Sequence, residues 1–269
     1  MAMRLEIRSW DRAQCGAMLA VVAAANAVWG AWGQVHPVVW FALFALGMIA
    51  FERPESTSAA PVASDAPLDN RDLMVLVPAV AAVLLPVPAL SALAVLLTGC
   101  WLYRSGGAAS RARRCGVVVL ALTGVLIWSH VFFAAAGPQL MAADARFVMM
   151  LSGTEARGNL LDFASEGPPM LIGYACSSLH NITKAVLFWA AMTQLLRIPI
   201  GKGSLLVCLA AIAVNALVNA LRLSTIAHNR ESFDYWHLGL GGAMFAWAGV
   251  IAVLLVVAGG CHALTKSQR

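Results

Sequence analysis

Charge is scarce in this chain. Asp, Glu, Lys and Arg make up 12% of its 269 residues, against 61% hydrophobic, and the mean hydropathy is +0.78. A soluble domain carries roughly 25% charged residues overall, so the composition excludes an ordinary water-soluble globule and predicts a protein that uses lipid as part of its solvent. Other absences narrow the chemistry. There is no paired Cys-x-x-Cys and no His-Glu-x-x-His, the spacings that hold structural or catalytic zinc. No internal repeat supports a transporter built from inverted halves. The net charge is +5, but Lys and Arg stand in short clusters between apolar runs, which suits membrane orientation and gives no nucleic-acid footprint.

What is abundant is apolar length. Runs able to cross about 30 Å of hydrocarbon lie near 14–33, 36–51, 73–87, 88–103, 115–136, 169–196, 203–223 and 236–260. The expected fold class is therefore all-α, a polytopic integral membrane bundle of about eight transmembrane helices forming a single membrane domain over 1–269. The second to fourth runs are short, and Pro86-Val-Pro88 leaves open whether the third and fourth span fully. Residues 52–72, rich in Ser, Ala, Pro and acids, read as a flexible loop. Residues 137–168 read as a second polar loop with short interfacial helices at Leu140–Phe147 and Leu160–Phe163. Arg4, Arg8 and Arg12 precede the first run without a convincing cleavage pattern, which predicts an uncleaved span.

With eight crossings, Arg4, Arg8 and Arg12, the cluster Arg104, Arg111, Arg113 and Arg114, the pair Arg197 and Lys202, and the terminal Lys266 and Arg269 all fall on one face. The positive-inside rule makes that face cytoplasmic. Both termini and the 52–72 loop are then expected inside, in the inner membrane, with 137–168 outside. Residues 1–136 supply five helices, and 169–260 form a three-helix core.

In that topology Cys176 falls in the first turns of the sixth run, Arg222 in the last turn of the seventh and His237 at the start of the eighth, all at the outer face. Cys15, Cys100, Cys115, Cys208 and Cys261 map to the cytoplasmic half, so Cys176 has no disulfide partner on its side. A thiol, a fixed cation and an imidazole are the parts of a cysteine acyl-transfer site. Arg222 suits the oxyanion formed when a thiolate attacks a peptide carbonyl, and His237 suits general base and then acid. Asn215 and Asn219 precede Arg222 by seven and three residues, a polar stripe on one helix face, and Ser177 and His180 flank the thiol as supporting residues.

Each residue has a plainer reading. Cys176 would serve as a small apolar filler, Arg222 would snorkel to headgroups, and His237 would join Tyr235 and Trp236 in an aromatic belt. His180, His228, His36 and His130 are rival imidazoles. Cys176 and His180 at i and i+4, with His228 or His237, could hold zinc, but the adjacent Arg222 disfavours a cation, and no metal or cofactor is assigned.

The order Cys176-Ser177-Ser178, then Asn219-x-x-Arg222, then His237 opening the last run, resembles the exosortase/archaeosortase family of membrane cysteine transpeptidases. The resemblance is specific over about 165–255 and architectural over 1–135. It implies that Cys176 is the nucleophile and that Arg222 and His237 are its partners. It also implies that the substrates are exported proteins whose C-terminal sorting signal combines a Pro-Glu-Pro-like motif, a transmembrane helix and a basic cluster, cleaved at the outer membrane face through a thioester. The acceptor stays open. The chain departs from the family in having Ser178 where glycine is common. The competing classes are a transporter and a non-catalytic scaffold of an export or exopolysaccharide system. Lys184, two turns beyond Cys176, marks a polar crevice or a paired cation, and Asp144, Arg146, Glu155, Arg157 and Asp162 are candidate motif-reading charges.

Overall fold

The computed structural model describes residues 11–32, 37–52, 68–85, 87–107, 109–165, 167–228 and 230–267. Arg4, Arg8, His36, Pro86, Arg269 and most of the 52–72 loop lie outside the described residues. The described chain is overwhelmingly helical, and it divides into two compact units, 1–123 and 124–269. Three helical runs, Arg111–Ser152, Lys202–His228 and Leu240–Lys266, are long and apolar enough to cross a membrane.

The first unit comprises α1 (Arg12–Trp32), α2 (Pro37–Ala50), α3 (Asn70–Leu84), α4 (Pro88–Arg104) and α5 (Arg111–Thr123). Its helices approach closely through small residues. A Cβ added at Gly116 of α5 would stand 2.4 Å from the Tyr103 backbone nitrogen of α4, so only glycine permits that approach. α3 begins three residues before the expected apolar start because Asp69 and Asp72 form a capping box: Asp69 accepts from the N–H of Asp72, and Asp72 accepts from the N–H of Asp69. Arg12 then bonds Asp72 at 2.8 Å and Asp69 at 3.2 Å, and Trp101 Nε1 donates to Asp72 at 2.9 Å. Arg111 pairs with Asp11 at 2.7 Å and Arg114 with Glu52 at 2.5 Å. Much of the arginine cluster is thus neutralised by carboxylates of its own unit.

The second unit opens with a π-helical segment, Gly124–Trp128, leading into α6 (Ser129–Ser152). The expected fifth span, 115–136, therefore continues to 152: the short helix expected at Leu140–Phe147 is present, but as part of one longer run and not as an isolated segment of a loop. Pro138 cannot donate to the helix and crowds the turn before it. The backbone breaks two residues upstream at Ala136 (φ −138°, ψ 19°), after which the helix resumes. Gly153, at φ 71°, ends it in the left-handed conformation typical of a helix stop.

The loop that follows holds a three-stranded antiparallel sheet of β1 (Ala156–Arg157), β2 (Leu160–Leu161) and β3 (Met170–Leu171), in that order. The interfacial helix expected at Leu160–Phe163 is not formed. Its four residues are too few to repay helix nucleation, and Gly158 at φ 63° turns the chain back into a hairpin instead. The unit ends with α7 (Ser178–Leu195), α8 (Lys202–His228), the short α9 (Phe233–His237) and α10 (Leu240–Ser267). The sixth expected run, 169–196, is split: its first nine residues are strand and turn. Apolarity alone does not distinguish a buried strand from a buried helix.

Candidate functional site

Cys176 does not sit inside a helix. β3 gives way to extended Gly173, then to a 3-10 turn Tyr174–Cys176, then to Ser177, whose extended backbone (φ −70°, ψ 144°) and side chain cap α7 by accepting the N–H of Leu179 at 3.2 Å. The thiol therefore lies just ahead of the N-terminus of α7. The i, i+4 helical pairing of Cys176 with His180 does not exist, because the helix begins between them. His180 instead packs its ring 5.3 Å from that of Tyr174, whose hydroxyl donates to Ser129 at 2.9 Å. Tyr174 also stacks with His130 at 5.1 Å.

The imidazole that reaches the thiol is His237. Its Nε2 stands 3.3 Å from Cys176 Sγ, and its ring stacks on Phe233 at 4.8 Å with planes 19° apart. Phe233 and His237 are four residues apart on α9, one turn, which is why the rings lie face to face. His237 does not open the last long helix as expected. It ends α9, and Leu238 and Gly239 separate it from α10. A Cβ on Gly241 would meet the Trp236 ring at 2.3 Å, so the glycines there let α9 fold tightly against α10. Burial first, and the Arg222 charge second, hold the His237 pKa below the ordinary histidine value, against an upward pull from Asp234. Its Nδ1 is buried with no hydrogen-bond partner among the described residues. His228, the other rival, places Nδ1 2.9 Å from the Ser224 carbonyl of its own helix.

α8 supplies the polar stripe. Asn219, buried, donates through Nδ2 to the carbonyl oxygen of Cys176 at 2.8 Å, and Asn215 donates to the carbonyl of Asn181 at 2.7 Å. Arg222 follows Asn219 by three residues, on the same helix face. Its Nε is buried without a partner among the described residues, and its charge is felt by both His237 and Lys184. Cys176 is 8% exposed and packs among Ile172, Ala220, Leu223 and Ile226.

From Cys176 onward, four consecutive backbone N–H groups have acceptors. Cys176 donates to Gly173 at 3.0 Å, Ser177 to Tyr174 at 3.1 Å, Ser178 to Asp144 Oδ2 at 2.9 Å, and Leu179 to Ser177 Oγ. Asp144, expected in a loop as a motif-reading charge, is on α6 and caps the helix behind the nucleophile. Neither that role nor the Phe233 stack was derived from the sequence; the one readable signal was the four-residue spacing of Phe233 and His237. Glu155 and Asp162 each lie 3.6 Å from exposed Arg157, pairs that contribute little to stability in water.

All six cysteines are free. Among the described residues no group of three or more His, Cys, Asp or Glu is placed to hold a metal ion. No protein-family model, no curated protein and no solved structure matches the chain.

Proposed function

We propose that this protein is a membrane cysteine peptidase or transpeptidase of the exosortase/archaeosortase type. The observation that carries the reading is the 3.3 Å approach of Cys176 Sγ to His237 Nε2, from residues 61 apart in sequence, with the Cys176 carbonyl held by Asn219. A thiol and a neutral imidazole at hydrogen-bond distance form a nucleophile and its base.

In the proposed reaction His237 Nε2 takes the thiol proton and the thiolate attacks the scissile carbonyl of an exported protein. The tetrahedral oxyanion needs donors. The N–H groups of residues 176–179 already have acceptors, and Asn219 is committed to the Cys176 carbonyl. Arg222, whose buried Nε has no partner among the described residues, is the donor assigned to it in this proposal. Collapse of the intermediate breaks the peptide C–N bond, and the imidazolium returns its proton to the departing amine, which carries the C-terminal anchor. The thioester on Cys176 is then attacked by an amine acceptor or by water, restoring the thiol.

The membrane placement belongs to the same proposal: about eight spans, both termini cytoplasmic, and the site at the outer face of the inner membrane. Arg222 lies twenty residues beyond Lys202 on one helix, about 30 Å of rise, which is one hydrocarbon thickness. A cationic residue at each end of such a span suits the two interfaces.

The test compares C-termini of exported proteins, by mass spectrometry, in cells carrying the native gene or Cys176→Ala. Loss of a C-terminal hydrophobic helix from a set of proteins only when Cys176 is intact is the expected result. Identical C-termini, with both proteins present in the membrane, would overturn the catalytic reading and leave a transporter or a non-catalytic scaffold.

A further inference from the structure

The order of the small sheet leaves β3 with one edge unpaired among the described residues, and that edge runs directly into the turn bearing Cys176. Its chemistry follows from the register. Leu171 faces Leu160 and Met170 faces Leu161, and one step further Ile172 donates to the Asn159 carbonyl at 2.9 Å. Bonded and non-bonded pairs alternate along an antiparallel ladder. Met170 and Ile172 therefore turn their backbone groups toward β2, and Leu171 turns its N–H and C=O to the open side, where they meet no hydrogen-bond partner among the described residues.

Gly173 continues the extended chain (φ −103°, ψ 179°) and its N–H falls on the same side as those of Leu171. A Cβ built on Gly173 would meet nothing within 4 Å, so the sheet face at Gly173 is uncrowded, and Leu171 beside it is 63% exposed. Upstream, Pro168 and Pro169 offer no N–H, and proline blunts an edge against pairing. The available pairing strip is thus the N–H and C=O of Leu171 and the N–H of Gly173, since the Gly173 carbonyl accepts from Cys176, and it ends three residues before the thiol.

We propose that the substrate binds here as an extended peptide, adding a fourth strand to β3 so that its main chain is registered against Leu171 and Gly173 and its scissile carbonyl is presented to Cys176. Strand addition draws its affinity from main-chain hydrogen bonds and its selectivity from alternate side chains, and it fixes register in a way a lipid-embedded helix alone does not. The inference rests on the acyl-transfer reading, since only a peptide substrate has a main chain to pair.

The test uses Leu171→Pro beside Leu171→Ala and Cys176→Ala, read by the C-termini of exported proteins. Proline deletes the outward N–H and fixes φ near −65° while sparing the backbone donors of 170 and 172 that face β2, whereas alanine keeps the 171 N–H. The expected result is about a tenfold fall in processing for proline, the size of one lost backbone hydrogen bond, with alanine near wild type. Equal processing by the proline and alanine variants, while Cys176→Ala abolishes it, would overturn strand addition and leave the acyl-transfer reading standing. No effect of Cys176→Ala would overturn both. Should the proline variant fail to accumulate, p-benzoylphenylalanine at position 171 in the Cys176→Ala background decides. Crosslinks to the segment that the wild type cuts support the proposal, and crosslinks confined to other segments or to lipid overturn it.

Discussion

Asn219 holds the main chain of Cys176 from a different helix: its Nδ2 donates to the Cys176 carbonyl across 2.8 Å. The helix that carries Arg222 is thereby tied to the nucleophile's own backbone. Replacing Asn219 with Ala leaves a buried carbonyl unpaired at about 1–3 kcal/mol. The expected outcome is a lower melting temperature in detergent together with slower site-resolved alkylation of Cys176 by iodoacetamide. An unchanged alkylation rate would separate Asn219 from the site.

Arg222→Lys is expected to abolish processing although it keeps the charge, because an ammonium on a shorter, rounder head does not reproduce the planar donors of a guanidinium. Losing one oxyanion donor costs on the order of 10²–10³ in rate. Processing at the native rate in Arg222→Lys would remove the residue from that role.

The depressed pKa of His237 sets the sign of the pH dependence. The neutral ring accepts the thiol proton, so alkylation of Cys176 should hold as pH falls through about 6.5, the ordinary histidine value, and decline only below it. Asp234→Asn removes the one upward influence and should move the decline to still lower pH; a shift upward would contradict the assignment. Stability follows the same direction. Between the lowered folded value and about 6.5 the unfolded chain binds a proton that the folded chain does not, so this contribution is full above that window and is lost on acidification.

Asp144→Ala frees the N–H of Ser178 and removes a cap, at about 1 kcal/mol, whereas Asp144→Asn keeps an oxygen acceptor. The expected pattern is impaired Cys176 alkylation in the alanine variant and recovery in the asparagine variant, both measured in membranes. Equal behaviour of the two would make the carboxylate's charge, and not its bond to Ser178, the relevant property.

In the first unit, Asp72 is hydrogen-bonded by Arg12, Trp101 and the Asp69 backbone. Asp72→Ala leaves Arg12 short of its nearest partner in a largely buried setting, and breaking such a pair costs about 3–5 kcal/mol. A clear fall in thermal stability in detergent is expected, and a variant that melts with the wild type would show that Asp69 alone suffices.

Apolar length made most helices legible, since runs such as 14–33 and 88–103 have few other solutions in a chain this poor in charge. The junctions were not legible. Met170 to Cys176 is apolar throughout and reads as helix, yet Ser177 caps the helix after it and the Asn159 carbonyl draws Ile172 into a ladder, both events set by partners distant in sequence. The pairing of Cys176 with His237 over His180 was decided by the same shift, because moving the helix start by a few residues rotated His180 away. Asp144 was misplaced because the polar residues after Pro138 looked like a loop, while the helix survives the break at Ala136.

The burial of Cys176 in an apolar cluster bears on redox survival. On the proposed topology the thiol works on the side of the membrane where oxidants and disulfide-forming catalysts operate, and an accessible thiolate there moves readily to sulfenic acid or a mixed disulfide. At 8% exposed, with no second cysteine beside it, Cys176 offers little surface to either fate, so on the proposed reading the packing that shapes the site would also protect the thiol.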